Sequence, residues 1–290
     1  MLMSSPTDVL RRPVVDFLII GSMKSGTTTL HRALAHQSEV AMSSWKEPSF
    51  FSRDDRWRRG LEWYNQLFPH EGLRGEASTS YTSPRYAAVA AERIHRLAPN
   101  ARLIYLLRHP IERARSHYRH QVQRRRESRP LVEALGDPRS LYMSQSSYWS
   151  CLEPYIERFP RQQILVVRLE DLTGSNDRAW RNVLSHIGLA PEPFPQEAWN
   201  VTASKRQYSG LLRWLWDRKI VTSSTRLPPS LGRLAMRLLT RSGPRYETLL
   251  AQSKLPLPAQ LTYPVWRDIE RLEDWLGLDY ELWERDDPAG

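Results

Sequence analysis

Short apolar runs and helical stripes alternate along the first two thirds of the chain. Val14 to Ile20 is a nearly continuous, β-branched run closed by Gly21, the pattern of a strand buried on both faces of a parallel sheet. Beyond the glycine, Leu30, Ala33 and Leu34 recur at helical spacing, so the first unit reads as strand, tight turn and helix. Tyr86, Ala90, Ile94 and Leu97 form the stripe of a second helix that Pro99 stops, and "RLIYLL" at 102–107 is a second buried strand. Pro110 suits the first turn of the next helix, where its missing N–H costs nothing. Ile111, Ala114, Tyr118 and Val122 give that helix an apolar face opposite one full of arginine. "YWSCLEPYIERFP" reads as helix up to Pro160, and "ILVVRLEDL" at 164–172 as a third buried strand. Such alternation predicts an α/β fold of three layers, a central parallel sheet flanked by helices.

From about Phe194 the pattern degrades. "NVTASKRQYSG" reads as a loop, and 208–262 is rich in Arg, Trp and Pro without a clear strand, so it is predicted to be an insertion or helical lid on a single domain spanning 1–290. Within it, "SLGRLAMRLLTR" sets Leu231, Leu234 and Leu238 against Arg233, Arg237 and Arg241, a basic amphipathic helix suited to peripheral membrane contact or to a core with a solvated face. The closing segment carries Val265, Ile269, Leu272 and Leu276 on one stripe, with Gly277 as its stop.

Composition narrows the function classes. An apolar content of 40% with 11 Trp in 290 residues supports a large core. The formal charge of +10, from 42 Lys and Arg against 32 Asp and Glu, favours an anionic ligand, nucleic acid or an acidic membrane surface. One cysteine, Cys151, excludes an internal disulfide framework and a cysteine-rich metal site, so a reducing compartment, the cytoplasm, is expected. No run approaches the ~18 apolar residues of a membrane span, and residues 1–16 lack the apolar core of a signal peptide.

The chemistry concentrates in "GSMKSGTTTL" at 21–30. A triphosphate loop is written G-x-x-x-x-G-K-[ST], with lysine directly after the second glycine; here Lys24 precedes Gly26. The order still offers backbone N–H groups, hydroxyls and a helix N-terminus to an anion. Neither later strand ends in a well-placed magnesium-binding aspartate: "RLIYLL" runs into Arg108, and "ILVVRLEDL" offers only Asp171. Metal-dependent phosphoryl transfer, as in a P-loop nucleotide kinase, is thereby disfavoured but kept as the enzyme alternative. Arg124, Arg125, Arg126 and Arg129 keep a basic nucleic-acid-binding protein as the non-enzyme alternative, although a solvated helix end accounts for them and no nucleic acid is expected.

The turn "KSGTT" after a strand resembles the 5′-phosphosulfate loop of sulfotransferases that use 3′-phosphoadenosine 5′-phosphosulfate (PAPS). Arg108 at a strand end with Ser116 eight residues on matches that family's 3′-phosphate motif. "KEPSFF" at 46–51, "GLEWYNQLFP" at 60–69, "GEASTSY" at 75–81 and 146–172 are similar to its heparan-sulfate-type branch and bacterial relatives. The resemblance implies a P-loop-like fold, PAPS as co-substrate, no metal, and transfer of a sulfuryl group to a hydroxyl, less often an amine, of a glycan, glycolipid or secondary metabolite. It assigns Lys24, Ser25, Gly26, Thr27, Thr28 and Thr29 to the phosphosulfate, and Arg108 and Ser116, with Lys205 and Arg206, to the 3′-phosphate. Lys24 is the catalytic donor and Glu47 the general base, while Glu76 is catalytic or orients Lys24 or the acceptor. Trp57, Tyr81 and Tyr148 are candidates for stacking on the acceptor. Where glycosaminoglycan-modifying members follow the motif glutamate with lysine, this chain has Ala77.

Overall fold

The computed structural model describes residues 14–69, 71–174, 177–195 and 244–285. Five parallel strands form the centre: β1 (Phe17–Gly21), β2 (Val40–Met42), β3 (Leu73–Ala77), β4 (Arg102–Leu107) and β5 (Ile164–Arg168), ordered β2-β3-β1-β4-β5. The described helices are α1 (Thr27–Ala35), α2 (Asp54–Trp57), α3 (Gly60–Asn65), α4 (Ala87–Leu97), α5 (Pro110–Gln123), α6 (Leu131–Gly136), α7 (Tyr148–Ile156), α8 (Leu169–Leu172), α9 (Arg178–His186), α10 (Pro244–Gln252) and α11 (Ala259–Leu276).

Alternation along the strands divides the core between two faces. Leu18, Ile20, Leu103, Tyr105 and Leu107 meet α4, α7 and α11 through residues such as Ile94, Leu152 and Ile269. Phe17, Ile19, Ile104 and Leu106 meet α1 and α9 through Leu30, Leu34, Trp180 and Val183. Because β1 and β4 lie inside the sheet, both faces are apolar and the sequence shows unbroken runs. Asp268 of α11 accepts the N–H groups of Trp149 (2.7 Å) and Ser150 (3.0 Å), so a carboxylate from a distant helix caps the start of α7.

Three expectations change. β2 spans only three residues, too few to leave a periodic signal in the sequence. The run 164–172 is strand only to Arg168; Leu169–Leu172 turns into α8, where Asp171 pairs with Arg168 at 2.6 Å. Of the stretch expected as an insertion or lid, 244–262 includes α10 and the start of α11, and Leu249 and Leu261 join the apolar cluster of α5 and α6. The amphipathic segment 230–241 lies outside the described residues.

Strand order fixes where a ligand can sit. The chain leaves β1 towards β2 on one side and β4 towards β5 on the other, with α1 and α5 beginning at the carboxyl ends of these two neighbouring strands. Such a reversal opens a crevice at that edge, and strands ~4.8 Å apart bring its two walls close.

Candidate active site

At the carboxyl end of β1 the chain turns through Ser22 to Gly26. The Ser22 N–H donates to Leu106 O (2.7 Å), tying the turn to β4, and Ser22 Oγ and Ser25 Oγ share a 2.5 Å hydrogen bond. Gly26 precedes α1 with φ of 86°, in the left-handed region, and a Cβ there would lie 2.5 Å from Leu169 Cδ1. No side chain caps α1 and its first turn holds no acid. Its N-terminal amides and dipole are thus those of an anion site. Lys24 is half-buried with φ of 73°.

At the end of β4, Arg108 precedes α5, and its carbonyl accepts the Tyr148 hydroxyl at 2.7 Å. Its guanidinium lies 3.8 Å from Glu112, loose and partly exposed, so the pair contributes little. Ser116 stands half-buried two turns into α5. Buried His117 follows, 4.8 Å from the Tyr142 ring. Burial pushes its imidazole down to about 3, with the charges of Arg113, His120 and Lys24 acting the same way, so it is neutral at physiological pH. The part of α5 that carries His117 is therefore interior.

Glu47 lies in the turn after β2 with φ of 63°. Its N–H donates to Ala77 O at the end of β3 (3.0 Å). Its Oε2 accepts from Thr79 N (2.7 Å) and Thr79 Oγ1 (3.0 Å), and its Oε1 pairs with Lys46 at 2.7 Å. The carboxylate is thus aimed, with its side chain 35% exposed. Four non-glycine residues have positive φ among the described residues: Lys24, Glu47, Ser49 and Arg125. Three of them fall in these two turns, the distribution expected where strain is held for function.

Glu76 is fully buried. Its carboxylate accepts hydroxyls from Tyr64 (2.7 Å), Ser78 (2.6 Å) and Tyr81 (2.8 Å), and the Ser78 oxygen in turn accepts the Ser49 N–H (2.9 Å). These partners make it an organiser of the Glu47 turn, not a group facing a substrate. Burial raises its carboxyl from 4.5 to about 7, the three hydroxyl donors offsetting part of the rise. Between those values the folded chain binds the extra proton, so the stability contributed by protonated Glu76 is full below about 4.5 and lost as pH rises through about 7. Glu76→Gln is expected to flatten the pH dependence of Tm across that interval, measured by calorimetric melting; an unchanged slope assigns the titration elsewhere.

The remaining candidates divide. Tyr81 and Tyr148, expected at the acceptor, are fully buried and offer no stacking face: Tyr81 bonds Glu76, and Tyr148 packs on Tyr105 and Trp283. Trp57 is half-buried against Phe50, with Arg93 and Arg96 over its ring at 4.8 and 5.1 Å. Lys205 and Arg206 lie outside the described residues. The structure adds Thr79, which holds Glu47, and Arg113, buried beneath the first turn. Thr79 lies inside "GEASTSY", whereas Arg113 is one of many arginines on its helix and carries no local signal.

The phosphate-type turn, the arginine-ended neighbouring strand and the aimed glutamate therefore share one edge of the sheet. The family model described as "Sulfotransferase domain" matches residues 15–208, which hold all of these elements. The chain belongs to the sulfotransferase family. It is 30% identical over 187 residues to the bifunctional heparan sulfate N-deacetylase/N-sulfotransferase of Drosophila melanogaster, covering 54% of this chain and 18% of that protein. It is 31% identical over 183 residues to heparan sulfate glucosamine 3-O-sulfotransferase 3B1 of Mus musculus, covering 59% and 45%. This sulfotransferase thus aligns with less than half the length of either relative. A solved sulfotransferase from Alicyclobacillus acidocaldarius shares the fold, with a TM-score of 0.63 at 22% identity over 94% of this chain and 99% of that one.

Proposed function

We propose that this sulfotransferase moves a sulfuryl group from PAPS to a hydroxyl, or second to an amine, of a glycan, glycolipid or secondary metabolite by in-line displacement without a metal. The observation that carries this reading is the uncapped, acid-free N-terminus of α1 behind left-handed Lys24, on the strand next to Arg108 and α5. When bound, PAPS supplies the activated sulfuryl group and a phosphate leaving group. The amides and hydroxyls of 25–29 would hold its phosphosulfate end, and the planar Arg108 fork with Ser116 its 3′-phosphate. Lys205 and Arg206 are assigned to the same phosphate.

Lys24 donates a hydrogen bond where negative charge gathers on the leaving oxygen, a preorganised electrostatic role. Glu47, fixed by Thr79, takes the proton from the acceptor. The two curated relatives are named for heparan sulfate, which supports a glycan acceptor, while Ala77 in place of the branch's lysine argues for a chain less acidic than heparan. Cytoplasmic residence is part of this reading, supported by a lone cysteine that can form no internal disulfide, and so is a peripheral membrane contact through 230–241.

Incubation with PAPS labelled in its sulfate, a panel of glycan and small-molecule acceptors and a chelator tests the reading. Label is expected to reach an acceptor in the presence of chelator. Phosphoryl transfer from ATP that the chelator abolishes would replace this reading with a kinase.

A further inference from the structure

Arg113 is completely buried in α5, and no carboxylate pairs with it among the described residues. Burial lowers the affinity of its guanidinium for the proton without removing it, so the charge stays inside. A buried, unpaired cation is expensive, and folds keep one only where another charge or a set of fixed acceptors answers it. Its three nitrogens are all engaged. Nε donates to Ser146 Oγ (2.7 Å), Nη2 donates to Tyr142 O, and Nη1 donates to Met23 O at 3.5 Å. Ser146 Oγ passes the link on to Pro110 O (2.7 Å), the first residue of the same helix.

The Met23 contact matters because that carbonyl belongs to the peptide joining Met23 to Lys24. The orientation of this peptide sets φ of Lys24, which stands at 73°, a conformation that is costly for a non-glycine residue and persists only when neighbours hold it. Arg113 reaches that peptide from the helix that follows Arg108 and carries Ser116 one turn on. One guanidinium thus ties the turn proposed for the sulfuryl end to the helix proposed for the 3′-phosphate end. It also places a positive charge under both, next to His117, which is kept neutral.

We propose that Arg113 is a positioning residue of the transfer: it holds the Met23–Lys24 peptide in its catalytic orientation, and its buried charge is answered by the phosphates of the bound nucleotide. The inference rests on the PAPS reading above. Two consequences separate it from a plain structural role. The cost of the buried charge falls on the free protein and is relieved on binding, so neutralising Arg113 weakens nucleotide binding more than it weakens the free fold. The fork geometry serves Lys24, so a point charge in its place supports binding better than turnover.

The test uses the full chain with adenosine 3′,5′-bisphosphate (PAP) as probe and labelled PAPS for rate. Arg113→Gln retains donors for Ser146 and Tyr142 without the charge; Arg113→Lys retains the charge without the fork. Arg113→Gln is expected to weaken PAP binding by at least about tenfold while Tm of the free protein changes by only a few degrees. Arg113→Lys is expected to hold PAP within about threefold of the wild type yet lose about tenfold in kcat with KM for PAPS little changed. The inference is overturned if Arg113→Gln lowers the free Tm and leaves PAP affinity unchanged, or if Arg113→Lys keeps full kcat. Should Arg113→Gln not fold, the Arg113→Lys result decides alone. A wild-type protein that neither binds PAP nor transfers sulfate removes the PAPS reading and this inference with it, an outcome distinct from failure in the variants.

Discussion

Lys24→Ala is expected to lower the rate of sulfuryl transfer by about 10²–10³, with PAP affinity falling far less. Lys24 stands in the turn between β1 and an α1 whose first turn is free of acid, its backbone is left-handed, and the carbonyl of Met23 before it accepts from Arg113 at 3.5 Å. A cation beside a helix N-terminus is disfavoured by the dipole, so its presence there is a cost borne by the fold. That cost makes sense when an anion gathers charge at the same spot during reaction. In the proposed role the donor acts mostly in the transition state, so the loss should fall on kcat and leave most of the nucleotide affinity with the turn amides and Arg108. Alanine at φ of 73° has no conformational advantage over lysine, so Tm of the free protein should move little. Single-turnover rates with labelled PAPS, paired with calorimetric PAP titration, separate the two quantities. Equal losses in rate and in PAP affinity would make Lys24 a binding residue only.

Glu47→Gln carries the second large effect. Removal of a positioned base costs about 10²–10⁴ in rate, and the amide keeps the shape that Thr79 grips. The Thr79 amide and hydroxyl converge on one carboxylate oxygen while Lys46 takes the other, so the group is oriented before any acceptor arrives. PAP binding should stay at wild-type level, because the proposed nucleotide contacts follow β1 and β4 and lie on α5, whereas Glu47 follows β2. Measurement of kcat across acceptors at saturating PAPS checks this. A variant with full turnover would remove Glu47 from the base role and direct attention to another group on the acceptor side.

The sequence made the central units readable where local chemistry and fold agree. β1, the glycine and lysine turn, β4 ending in Arg108 and α5 opening with Pro110 each combine a buried run with a strong punctuation residue, so pattern and structure coincide. Elements decided by tertiary partners were not readable. β2 owes its three residues to the edge of β3. Leu169–Leu172 leaves the apolar run of β5 for a helical turn that sets Leu169 against Gly26. Tyr81 and Tyr148 look like any surface aromatics in sequence, and only the carboxylate of Glu76 and the carbonyl of Arg108 draw their hydroxyls inside. Arg113 shares a helix with Arg115 and Arg119, and nothing local marks it as the fully buried one; the segment 142–146 that covers it lies about thirty residues on. The helix-spanning carboxylate of Asp268, which caps α7, was hidden for the same reason.

The proposed transfer requires one nucleotide to be gripped at its two ends by neighbouring units of the sheet, the turn after β1 and the start of α5 after β4. Isothermal titration of the wild-type protein and Arg108→Ala with PAP and with adenosine 5′-monophosphate, which lacks only the 3′-phosphate, measures this directly. The wild type is predicted to prefer PAP by at least about tenfold, the worth of a charge-assisted phosphate contact, and Arg108→Ala to lose most of that preference while its affinity for the monophosphate is unchanged. Equal affinity of the wild type for the two nucleotides would contradict the account.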